Sequence, residues 1–188
     1  MGQLIQEQYP AAYNGAINER CFRMANAAAG IALIAAADNM PTIINWSDSG
    51  KNVAIRSLRL GYVSGNNAPG NVQWFHKASI GSGVGGAITS FTAVAKTSCL
   101  FGSGDTGSPN VEFAGATIDF ATVPTYLCPS GISLFTGVAA TAVAPYVLEV
   151  KYNGELTIAP GNALALGFSA ATTTALFNID IVIEEIDV

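Results

Sequence analysis

The most regular pattern of apolar and polar positions lies in the last third of the chain. Tyr146, Leu148, Val150 and Tyr152 alternate with Glu149 and Lys151, the period-two signature of a strand with one buried face. Asn153-Gly154 follows, a pair suited to a hairpin turn because both residues tolerate positive φ. Leu156 and Ile158 alternate up to a second turn at Pro160-Gly161, beyond which Leu164, Leu166 and Phe168 share a face. Phe177, Ile179, Ile181 and Ile183 then point one way, and Asn178, Asp180 and Glu184 the other. No helical period competes in this region.

Strand signals also run from Pro41 onward. Thr42 to Trp46 reads as a strand ended by the turn Ser47-Asp48-Ser49-Gly50. In Val53 to Val63, Val53 and Ile55 sit in one phase and Leu58, Leu60 and Tyr62 in the other, which predicts a β-bulge around Arg56-Ser57. Asn66 to Gly70 is a loop and Val72 to Ser79 another strand. The stretch Gly81 to Pro129 is rich in Gly, Ser and Thr, and predicts long loops with short edge strands.

Residues 1–40 differ in character and read as an N-terminal arm with the first strand or strands, carrying turn signals at Tyr9-Pro10 and Asn14-Gly15. Between Arg20 and Ala37 so much Ala is present that helix and strand compete. Gly30 and the lack of a polar helical face favour strand, or an arm that orders only on assembly. Residues 41–188 read as one domain. Many strands at short spacing without βαβ alternation predict an all-β fold, an antiparallel β-sandwich that is jelly-roll-like.

Composition changes this picture in one respect. Half of the 188 residues are hydrophobic and only 11% are charged, against about 25% in an ordinary soluble domain. A surface so poor in charge suits coverage by partners, as in a homo-oligomer or a shell. The net charge of −5 and the scatter of Arg20, Arg23, Lys51, Arg56, Arg59, Lys77, Lys96 and Lys151 leave no basic stripe for nucleic acid. Past residue 100 only Lys151 is basic, while Asp180, Glu184, Glu185 and Asp187 crowd the end. Dispersed charge of this kind reads as solvent-facing strand positions.

Cys21, Cys99 and Cys128 lack any Cys-x-x-Cys spacing and read as free buried thiols. The first residues show no basic segment followed by an apolar one, and Ala25 to Ala37 is too short and weakly apolar to span a bilayer, so neither secretion nor a membrane partner is expected.

Several motifs resemble active sites. Gly81 to Gly86 fits Gly-x-Gly-x-x-Gly, yet a dinucleotide site needs a helix next, and Ala87 to Leu100 reads as strand. Asp105-Thr106-Gly107-Ser108 has the letters of an aspartic-protease loop but no second copy, and tight-turn chemistry explains it. His76, the only histidine, lies on a predicted strand without a nucleophile elbow. Glu112 and Asp119 fall on opposite strand faces, which disfavours a glycosidase pair. Asn45-Trp46-Ser47 is a glycosylation sequon without a secretion signal. These readings lead to no cofactor, no metal site and no enzyme.

Asn45-Trp-Ser-Asp-Ser-Gly-Lys-Asn-Val53, followed by Arg56-Ser-Leu-Arg-Leu-Gly-Tyr-Val-Ser-Gly65, resembles small virion proteins of tailed bacteriophages. Tyr9, Tyr13, Asn14-Gly15 and Phe22 match the arm of such chains, and Leu156 to Leu164 matches their late strand-turn-strand. Trp46 departs from the pattern, where Pro is common. The resemblance implies a capsid decoration (cement) protein: a trimeric jelly roll made in the host cytoplasm and placed on the capsid surface, over seams of the major capsid protein. It brings no catalytic residues, and puts capsid or subunit contacts at Tyr9, Tyr13, Arg20, Phe22 and Arg23. Alternatives are a head-fibre, tail or receptor-binding module, and, from another class, a carbohydrate-binding jelly roll or hydrolase.

Overall fold

The alternating C-terminal segment becomes the spine of a sheet. The computed structural model describes residues 18–26, 29–35, 37, 40–66, 69–134, 146–169 and 175–188. Within them run β1 (Cys21–Ala25), β2 (Ile31–Ala32), β3 (Thr42–Asn45), β4 (Lys51–Ser64), β5 (Gly70–Ala78), β6 (Ile88–Val94) and β7 (Lys96–Ser98). There follow β8 (Val111–Phe120), β9 (Thr125–Leu134), β10 (Val147–Lys151), β11 (Thr157–Ile158), β12 (Asn162–Phe168) and β13 (Leu176–Asp187). One sheet has the order β10-β4-β13-β1-β7, with β11 also on β4 and β2 also on β13; the other has the order β6-β8-β3-β12-β5-β9. Every pairing is antiparallel. The result is the β-sandwich that the alternation predicts, and its connections are compatible with a jelly roll.

Between the sheets lies the main core. Phe177, Ile179, Ile181 and Ile183 of β13, with Phe22 and Met24 of β1 and Leu58 and Leu60 of β4, meet Trp74, Phe113, Leu164, Leu166 and Phe168. Each such side chain contributes ~1.5–3 kcal/mol by leaving water. The expected bulge is present. Ser57 pairs with Val182 and Ile55 with Ile183, so Arg56 is the extra residue on β4. That one-residue insertion lets both apolar phases of β4 face inward.

The turn at Asn153-Gly154 corrects one expectation. Both residues have positive φ, as their chemistry suggests. They do not, however, join two strands of a hairpin. β10 and β11 both pair with β4, on either side of the Arg56 bulge, and Tyr152 N–H donates to Arg56 O. The turn is a detour within one edge, taken up opposite the bulge. A second correction concerns the middle of the chain. β8 is a ten-residue strand inside its sheet, between β3 and β6, rather than a short edge. Its apolar positions, Val111 and Phe113 inward and Ala114, Ile118 and Phe120 on the other cluster, are diluted in sequence by small residues.

The second sheet is apolar on both faces. Its outer face gathers Ile44, Trp46, Phe75, Ile88, Ala163 and Ala165 with Met40 and Ile80 from the connections. The segment before β3 crosses this face: Phe168 N–H donates to Ile34 O and Leu166 N–H to Pro41 O, both at 2.7 Å. Gly167 makes that approach possible, because a Cβ there would meet Met40 Sδ at 2.6 Å and Phe75 at 2.8 Å. Gly167→Ala is expected to cost ~1–3 kcal/mol through overpacking, read as a lower urea midpoint at unchanged slope. β1 is also an inner strand of its sheet, so the sandwich takes in part of residues 1–40.

Candidate functional site

The acidic end of the chain meets the basic residues of its first half, because β13 runs between β4 and β1. Asp180 accepts from Arg23 Nε and Nη2 at 2.6 and 2.5 Å, and Arg59 bridges to Glu149 at 3.0 Å. Glu184 pairs with Arg20 at 3.3 Å and with Arg56. Lys51 pairs with Asp187, which raises the lysine pKa and lowers the carboxyl. With Lys96 on Glu185, at least six of the eight basic side chains pair with carboxylates of the described residues. The exposed pairs contribute only ~0–1 kcal/mol each. Their main effect is to cancel charge over the outer face of this sheet.

Lys96 and Glu185 are different, since their side chains are 6% and 4% exposed. Lys96 Nζ is 2.6 Å from Glu185 Oε1, donates to Ser108 O at 2.5 Å and lies 5.4 Å from the Phe22 ring centroid. Glu185 Oε2 accepts the Ser108 N–H at 2.8 Å. Asp105 Oδ1 accepts the Gly107 N–H at 3.0 Å. The Asp105-Thr-Gly-Ser108 motif is therefore a turn anchored on a buried ion pair.

The remaining motif residues are placed apart. His76 Nε2–H donates to Asn162 Oδ1 at 2.9 Å, and Asn162 Nδ2 is held by the carbonyls of Ala159 and Pro160. The pair lines a cleft of about 190 Å³ with Leu127, Leu156 and Ile158. Trp46 Nε1–H donates to Glu112 Oε2 at 2.6 Å, and Ser90 Oγ donates to Asp119. The two carboxylates thus serve separate local bonds. Gly81 to Gly86 leads into the strand β6. Asn45 of the sequon is buried, and its Nδ2 donates to Lys51 O and Ile158 O, both at 2.8 Å. Among the described residues no group of three or more His, Cys, Asp or Glu is placed to hold a metal.

Of the expected contact residues, Tyr9 and Tyr13 lie outside the described residues. Arg20 and Arg23 reach the outer sheet face, on Glu184 and Asp180. Phe22 is a correction. At 1% exposure it is part of the core, because the alternation of β1 sends Phe22 and Met24 inward and Arg23 outward. It offers no surface to a partner.

An exposed apolar segment was not anticipated from sequence. β9 and β10 are edge strands on the same side of the sandwich, where a Cβ on Gly131 would touch Val150. At the start of β9 and just before it, Val123, Tyr126 and Leu127 are each about half exposed, and at the opposite end of this edge Val147 is 69% exposed. Tyr126 leans edge-on against Phe75 at 6.0 Å. At a separate turn after β7, Phe101 is 78% exposed beside Leu100. The visible signal was Val123-Pro-Thr-Tyr-Leu127, apolar residues without the alternation of a buried face. Comparison with protein-family profiles, curated proteins and solved structures finds no match.

Proposed function

We propose that this chain is a structural virion protein that decorates a bacteriophage capsid, bound as a trimer to the major capsid protein. The observation that carries this reading is the exposed apolar segment of Val123, Tyr126 and Leu127 leading into the edge strand β9, on a sandwich whose charges are mostly paired internally. Interface cores are depleted in charge and enriched in aromatic side chains. Weak contacts of this kind become firm when repeated by symmetry across a lattice. The sequence resemblance to small virion proteins points the same way. The arm, with Tyr9 and Tyr13, supplies a second contact to a neighbouring subunit.

The test is co-sedimentation with intact capsids. The wild-type chain is expected to pellet at many copies per shell, whereas pelleting with tails or fibres alone would favour the alternative virion role. Tyr126→Glu with Leu127→Glu is expected to weaken binding at least tenfold, about 1.4 kcal/mol per contact set, with an unchanged urea midpoint. Deleting residues 1–18 leaves β1 and the Arg20–Glu184 pair in place. Binding that survives this deletion removes the arm from the interface, and a monomer in light scattering at every concentration removes the trimer.

A further inference from the structure

Cys21 opens β1 and Cys99 directly follows β7, and the register that pairs Phe22 with Ser98 sets the two cysteines opposite each other. Cys99 N–H donates to Cys21 O at 2.8 Å. Such a hydrogen-bonded antiparallel pair holds its Cα atoms ~5.5 Å apart, inside the ~4.4–6.8 Å that a disulfide spans. Directly opposite residues project from the same sheet face, here the outer one, and each thiol shifts the titration of the other. Cys21 is buried and Cys99 half-buried. Cys128 lies on β9 in the other sheet.

We propose that Cys21 and Cys99 are a redox-active cross-strand dithiol, converted to a disulfide by low-molecular-weight disulfides such as glutathione disulfide. The groups around the pair assign the roles. The neighbouring Cys21 thiol and then the charge of Arg23 bring the Cys99 thiol down to about 7, against its partial burial and Asp180. Cys21 is pushed up, by the Cys99 thiol and by burial, with only Arg56 opposing. Cys99 is thus the attacking thiolate. It attacks one sulfur of glutathione disulfide and releases one glutathione thiolate, leaving a mixed disulfide on Cys99. Cys21 then loses its proton to solvent and attacks Cys99 Sγ, which expels the second glutathione. Two protein thiols are oxidised together by two electrons, and one glutathione disulfide is reduced to two thiols.

The bond would staple β7, a three-residue edge strand, to β1. It also secures the base of the exposed Leu100-Phe101 turn. The test incubates the reduced chain with glutathione disulfide, quenches in acid, alkylates and maps peptides by mass. The expected result is a Cys21–Cys99 cross-linked peptide, ~2 Da below the sum of its reduced halves, with Cys128 alkylated. Melting should rise on the order of 5 °C and return with dithiothreitol. Cys21→Ser should stop at a stable glutathione adduct on Cys99. A wild-type map with Cys99 still free or still carrying glutathione, or with Cys128 in the bond, overturns the proposal.

Discussion

Replacing Trp74 with Ala is expected to lower the unfolding free energy by ~3–5 kcal/mol, against a total of ~5–15 kcal/mol for a domain. Trp74 is fully buried on β5 between the sheets. Its Nε1–H donates to the Tyr152 hydroxyl at 2.9 Å, and that hydroxyl donates to Ser130 O at 2.5 Å. The rings meet edge-on at 6.2 Å. Truncation therefore opens a cavity and strips the tyrosine of its partner. Tyr152→Phe keeps the volume but leaves the indole N–H and the Ser130 carbonyl unpaired, for about 1–3 kcal/mol. Urea titrations of both variants decide the matter. A Trp74→Ala loss no larger than that of Tyr152→Phe would mean that the site collapses around the gap.

The second large effect is at Glu185. Removing one member of a buried ion pair leaves the other charge without compensation, at a cost of ~3–5 kcal/mol, so Glu185→Gln is expected to be severe. Two bonds to the turn go with it, since Glu185 holds Ser108 N–H and Lys96 holds Ser108 O. Burial lowers the Lys96 pKa in spite of Glu185. The folded chain then binds this proton less firmly than the unfolded chain, whose lysine titrates near 10.5. Stability from this group therefore rises as pH climbs from the folded pKa toward 10.5. Lys96→Met should flatten that rise, measured as unfolding free energy at neutral and alkaline pH. A double variant, Lys96→Met with Glu185→Leu, should regain only part of the stability, because Ser108 keeps neither partner.

Legibility followed the strength of local patterning. β13 announced itself because one face is buried by large residues and the other carries polar ones, and β12 because large inward residues alternate with small ones that pack outward. The bulge at Arg56 was readable for the same reason, as a slip of apolar phase that only an extra residue repairs. β8 escaped notice because both its faces pack. Alternation vanishes when neither face is wet, and Gly and Ala soften what remains. The Asn153-Gly154 turn was right in its chemistry and wrong in its connection. Turn residues specify φ, whereas the partner of the next strand depends on what else lies alongside.

The candidate site was the least legible part. Phe22 looked like an arm residue until β1 was seen between β13 and β7. The exposure of Val123, Tyr126 and Leu127 follows from β9 being the edge of its sheet, which no local period reveals. The charges of Arg20, Arg23, Arg56 and Arg59 looked dispersed because their partners lie over a hundred residues away, or nearly so. By itself the amino-acid order determined that this protein would be all-β, antiparallel and rich in apolar layers, since strand periodicity and turn chemistry act over a few residues. Only the tertiary structure decided which strands became neighbours. That choice cancelled the charge, paired Cys21 with Cys99 and left Tyr126 and Leu127 on an open edge, because electrostatic and packing partners are set by distance in space rather than along the chain.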